Sequence, residues 1–94
     1  MKDTLKARTD TVARNIRKIR EFRNYTQDYL AAKLEISQNA YSKVELGYSK
    51  LTLERLFHIA EILEVDIIQL ISADDTEIVQ IIKPESDSLV ASIA

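Results

Sequence analysis

The stretch QNAYSK, Gln38 to Lys43, sets two amides, a hydroxyl and an ammonium close together. If it is helical, at about 100° per residue, Gln38, Ser42, Asn39 and Lys43 share one arc of roughly 140°. Ala40, Tyr41 and Val44 then point the other way, and Glu45 falls on that inward side. The outward groups are hydrogen-bonding groups rather than nucleophiles. Amides match the donor–acceptor edge of adenine, lysine reaches guanine or a phosphate, and an α-helix fits the major groove of duplex DNA. The plainer account is solvation, since every surface helix has a polar face.

Other chemistry finds little to rest on. There is no Cys for a disulfide or a thiolate site, and His58 is the sole histidine. Lacking a neighbouring carboxylate cluster, His58 reads as a packed or surface residue. No Ser–His–Asp arrangement, Gly-rich phosphate loop or paired carboxylate site stands out. The expectation is a non-enzyme with no cofactor and no metal.

Something must hold the Gln38–Lys43 arc outward. From Val12 onward, Val12, Ile16, Ile19 and Phe22 form one apolar stripe, with Arg14, Arg17, Lys18 and Glu21 opposite. That predicts a first helix over 12–23, with residues 1–11 either extending it or forming a basic arm. Thr26 caps a second helix over 27–34, and Ser37 a third over 38–46 that exits through a left-handed Gly47. Thr52 caps a fourth over 53–64, expected to bury Leu53, Leu56, Phe57, Ala60 and Leu63. Asp66 with Gln69 forms a capping box for a short fifth over 67–72. Beyond Ser72, β-branched residues flank a Pro-Glu-Ser-Asp turn signal, which reads as two short strands or as an amphipathic helix ending before Pro84.

Ninety-four residues, 46% of them hydrophobic, make one modest globular unit, and one Gly with one Pro favours helices over a many-stranded sheet. The first residues lack the apolar core of a signal peptide and no run approaches a membrane span, so a cytoplasmic protein without membrane contact is expected. The net charge of −2 conceals a division. Nine of the 13 basic residues but only four of the 15 acidic ones fall in residues 1–33, which gives +5 there and −7 over 34–94. A basic front and an acidic back suit one face for an anion and another that avoids it.

Two short helices joined by a tight turn, the second exposed, follow helix-turn-helix grammar. In "IRKIREFRNYTQDYLAAKL", "ISQNAYSKVELG" and "LTLERLFHIAEILEVDIIQL", residues 12–71 resemble the phage-repressor (Cro/CI, XRE-like) helix-turn-helix family. The resemblance implies an all-α fold: a compact five-helix, repressor-like domain at 12–72. An arm or helix extension precedes it at 1–11, and a C-terminal extension follows at 73–94, as a β-hairpin or an extra helix.

It implies that Gln38, Asn39, Ser42 and Lys43 read bases. Thr26, Gln27, Tyr48, Ser49 and Lys50 would touch sugar and phosphate, with Gln27 also bracing the reading helix. Arg20 and Glu45 would form an ion pair clamping the first helix to the third. One departure is Glu35, which stands where the family usually has a turn glycine; a left-handed backbone there costs a non-glycine residue about 1–2 kcal/mol.

Members of the family usually dimerise on near-palindromic operators, their reading helices about 34 Å apart. The fifth helix, with Ile67, Ile68 and Ile71, is the expected contact, and the segment Ile78–Ile82 could add strands across the dimer. The expected role is a sequence-specific transcriptional regulator, a repressor that occupies double-stranded DNA as a homodimer. The alternative is an antitoxin-like interaction module whose tail at 73–94 holds a protein partner.

Overall fold

The computed structural model describes residues 2–74 and 76–78. Five helices follow in order: α1 (Lys2–Phe22), α2 (Gln27–Leu34), α3 (Gln38–Glu45), α4 (Leu53–Leu63) and α5 (Ile67–Ser72). The all-α, five-helix expectation holds. Of the two readings of residues 1–11, the helical extension is the one found, since α1 begins at Lys2. Residues 76–78 are helical rather than extended, and Asp74 and Glu77 cap that turn reciprocally (Glu77 N to Asp74 Oδ1 2.8 Å, Asp74 N to Glu77 Oε1 3.2 Å). The hairpin expected further along the tail lies outside the described residues.

The helix starts are set by side chains that accept the first orphan amides. Thr26, Ser37 and Thr52 each accept from the amide three residues on, at 3.0, 3.0 and 3.1 Å. Asp66 accepts from Ile68 N at 2.9 Å, while the Asp66 amide donates to Gln69 Oε1 at 3.2 Å. Four of the five helix ends, those of α1 to α4, repeat a single device. Asn24, Glu35, Gly47 and Glu64 all take positive φ, at 61°, 59°, 78° and 60°. The residue after each donates its amide back across the last turn: Tyr25 to Arg20 O, Ile36 to Ala31 O, Tyr48 to Lys43 O and Val65 to Ala60 O, all within 3.1 Å. This is the Schellman closure, which favours glycine, yet three of the four positions carry a side chain.

The core forms where α1, α2, α4 and α5 converge, with α3 laid across α1 and α2. Ile16, Ile19, Leu30, Tyr41, Ile59, Leu63 and Leu70 are fully buried in it. Two expectations are corrected. Leu53 and Phe57 of α4 are exposed, at 63% and 54%, and so is Phe22 of α1 at 51%. The apolar arc of α4 is wider than one packing interface can cover, and the helix buries the side carrying Ile59, Ala60 and Leu63. Leu53 and Phe57 lie at the far edge of that arc. Phe22 is the last residue of α1.

Among the described residues, Asn15 is the one neutral polar residue in the core, at 2% exposure. Its Nδ2 donates to Leu70 O and Ala73 O, both at 3.0 Å, and so satisfies carbonyls at the end of α5. The bond fixes where the chain leaves α5 and allows Ile78 to return to the core. Sequence reading passed over Asn15, although it falls inside the apolar arc of α1 between Ile19 and Phe22.

Candidate nucleic-acid interface

The orientation of α3 begins with its buried side. Tyr41 and Val44 enter the core and Ala40 is half-buried. At the last turn, the Glu45 carboxylate, its side chain 3% exposed, accepts four hydrogen bonds. Arg20 of α1 binds it with two nitrogens, Nε to Oε2 at 2.6 Å and Nη2 to Oε1 at 3.1 Å. Gln27, the first residue of α2, donates Nε2 to Oε1 at 3.1 Å, and the Tyr41 hydroxyl donates to Oε2 at 2.5 Å. The third Arg20 nitrogen, Nη1, donates to Tyr25 O at 2.8 Å and so ties in the loop between α1 and α2.

Among the described residues, no buried side-chain nitrogen or oxygen is left without a partner. A buried ion pair adds to stability only when its remaining bonds are met, and this arrangement meets them. The clamp between Arg20 and Glu45 is present, and the Tyr41 hydroxyl is a member of it that sequence reading missed. Its sequence signal was a tyrosine one helical turn before an inward-facing acid.

The electrostatics follow from this packing. Burial pushes the Glu45 carboxyl up, but the bonds from Arg20, Tyr41 and Gln27 together outweigh it, and the group sits below the usual carboxylate range. The bond to Glu45 raises Arg20, while burial and the same carboxylate push the Tyr41 hydroxyl up strongly. Glu45 is therefore charged, and Tyr41 a neutral donor, across the physiological range.

With that side fixed, α3 turns Gln38, Asn39 and Lys43 outward and leaves Ser42 half-buried. None of these four side chains makes a hydrogen bond within the described residues, so their amides, hydroxyl and ammonium remain available to an outside partner. Leu46, just past the helix, is 54% exposed.

The flanking residues divide. Thr26 is exposed, but its hydroxyl already caps α2. Gln27 is half-buried and committed to Glu45, the bracing role expected of it. After the left-handed Gly47, Tyr48 and Lys50 are exposed and Ser49 half-buried, wrapping past Val44 of α3. Glu35, at φ 59° and ψ 42°, does take the left-handed form. On α5, Ile68 and Ile71 are 69% and 41% exposed, whereas Ile67 packs partly against the core. His58 lies exposed on α4. No helix among the described residues is long and apolar enough to cross a membrane.

Comparison with known families matches residues 16–70, more than half of the chain, to a family model described as helix-turn-helix. The matched span runs from the middle of α1 to α5 and includes every residue of the Arg20–Gln27–Tyr41–Glu45 cluster. No curated protein and no solved structure matches the chain. The chain belongs to the XRE-type, Cro/CI-like helix-turn-helix family, whose members are DNA-binding transcriptional regulators.

Proposed function

We propose that this member of the helix-turn-helix family is a sequence-specific repressor that reads duplex DNA through the major groove with α3. The observation that carries the reading is the division of α3 into two faces. One is fixed by Tyr41, Val44 and Glu45, and the other carries Gln38, Asn39, Ser42 and Lys43 with no hydrogen bond among the described residues. Base contacts from these four would supply sequence preference. Thr26, Gln27, Tyr48, Ser49 and Lys50 would hold register on the phosphates. Gln27 links the two tasks, because the side chain that braces Glu45 belongs to the residue opening α2.

One such unit spans only a few base pairs, so the reading includes a homodimer on a near-palindromic operator, its two α3 helices about 34 Å apart. The exposed Ile68 and Ile71 support α5 as the contact, with the half-buried Ile67 beneath them.

Selection of bound duplexes from random sequence tests the proposal. The expected product is an inverted repeat with half-sites one helical turn apart, bound by two chains. Recovery of duplexes without a shared sequence would sink the reading.

A further inference from the structure

Among the described residues, four follow left-handed helix ends: Tyr25, Ile36, Tyr48 and Val65. Three of them pack against the core, which is the usual apolar seal of a Schellman ending. Tyr48 breaks the pattern at 74% exposure. The chain beyond it is loosely tethered, since Ser49, Lys50 and Leu51 make no hydrogen bond within the described residues.

Cavities lie on either side of this segment. The larger, about 460 Å³, is walled by Val12, Ala13, Val44, Leu51 and Leu56, with Lys50 among its lining residues. The smaller, about 240 Å³, shares Val44, Ser49, Lys50 and Leu51. Segment 49–51 is thus a partition with space behind both faces, anchored by the half-buried Leu51.

We propose that the larger cavity binds a small monocarboxylate with an apolar body, and that this ligand and DNA antagonise each other. The volume lies within the range of small-molecule sites, about 300–1,000 Å³. The walls ask for an apolar body. Among the described residues, Lys50 is the only charged group in the lining, which selects a carboxylate over an amine or a neutral alcohol. Asp10, beside Gly47, does not oppose it, because Lys6 pairs with Asp10 at 3.0 Å.

The antagonism rests on the operator reading above. Lys50 cannot serve a phosphate and a bound carboxylate together, and a body wedged behind Leu51 displaces Ser49 and Lys50 from the positions they hold beside α3. The coupling is reciprocal: the factor by which ligand weakens DNA binding is the factor by which DNA weakens ligand binding.

The test uses the full chain, octanoate and its neutral counterpart 1-octanol, followed by methyl chemical shifts without DNA. Saturable shifts are expected at Val12, Ala13, Leu51 and Leu56. Octanoate should bind about three- to fivefold tighter than octanol, the advantage of one solvent-exposed ion pair. Lys50→Gln should erase that difference. Thr9→Trp, on the exposed side of the lining, should block both ligands while the circular dichroism spectrum stays native.

Absence of saturable shifts, or binding indifferent to Thr9→Trp, overturns the cavity assignment and leaves the operator reading intact. A chain that binds octanoate but selects no duplex overturns the antagonism and the operator reading while the cavity assignment stands. With a selected duplex in hand, octanoate that fills the cavity without weakening DNA binding overturns the antagonism alone.

Discussion

Replacing Arg20 with Ala should cost far more stability than replacing Arg17, although both arginines lie on α1 and both pair with a glutamate. The Arg17 pair with Glu21 spans 3.3 Å between side chains that are each more than half exposed. Pairs of that kind, four residues apart on a helix, contribute about 0.3–0.5 kcal/mol. Arg20 supplies three hydrogen bonds: two to Glu45, whose side chain is 3% exposed, and one to Tyr25 O. Its removal leaves a buried carboxylate with only the neutral donors of Tyr41 and Gln27. Removing one partner of a buried pair costs about 3–5 kcal/mol.

For a domain of this size, 1 kcal/mol corresponds to a shift of about 4–8 °C. Arg20→Ala should therefore lower Tm by about 12 °C or more, and Arg17→Ala by about 4 °C at most. Urea unfolding at neutral pH, followed by circular dichroism, gives the same comparison as free energies. The double variant Arg20→Met with Glu45→Leu removes the stranded charge and should recover most of the loss.

Acid supplies a second readout. In the native chain Glu45 binds a proton less readily folded than unfolded, so its contribution is complete above the unfolded carboxylate value, about 4.3, and is lost as pH falls through the lower folded value. In Arg20→Ala burial governs that carboxyl and raises it, so acid relieves the variant. The two stability curves should converge as pH drops. Equal melting temperatures for Arg17→Ala and Arg20→Ala, or curves that stay parallel into acid, would refute the clamp.

Three further outcomes are expected. Glu35→Gly and Glu64→Gly, each at a left-handed helix end, should each stabilise by about 1 kcal/mol in urea unfolding, whereas Gly47→Ala should destabilise by about 1–2 kcal/mol and push Asp10 aside, since a Cβ there meets Asp10 Oδ1 at 2.7 Å. Asn15→Ala strands the carbonyls of Leu70 and Ala73 and should cost about 2 kcal/mol or more, with amide exchange in α5 accelerated ahead of the rest of the fold. On a selected operator, Gln38→Ala should relax base preference at one position, while Lys50→Ala should weaken all duplexes alike and flatten the salt slope by about 0.9.

How much of this was legible in the sequence depends on whether the signal is local. Thr26, Ser37, Thr52 and the Asp66–Gln69 box announce helix starts because capping is a matter of one side chain and the next turn. The left-handed ends were legible at Gly47, from its residue type, and at Glu35, through family resemblance. Asn24 and Glu64 adopt the same backbone without glycine, held there by the packing of Tyr25 and Val65, and packing is not written in a residue's own type. The outward face of α3 followed from periodicity, and the pairing of Glu45 with Arg20 from family resemblance. The extra donor from Tyr41 needed coordinates, as did the bond from Asn15 to carbonyls 55 and 58 residues away. Leu53 and Phe57 were misread because periodicity shows that an apolar arc exists, not which part of a wide arc its neighbours can cover.

Among the described residues Gln38, Asn39 and Lys43 bond to nothing in the fold, while Glu45, at the far end of the same helix, joins three helices. The scaffold and the reading head are thus separable parts of a single eight-residue helix. A descendant of this chain could acquire a new DNA address by exchanging three surface residues without loosening the body that presents them. Loss of the one carboxylate alone would strand the Arg20 guanidinium and loosen the seat of the whole cylinder, whatever its outward letters spell.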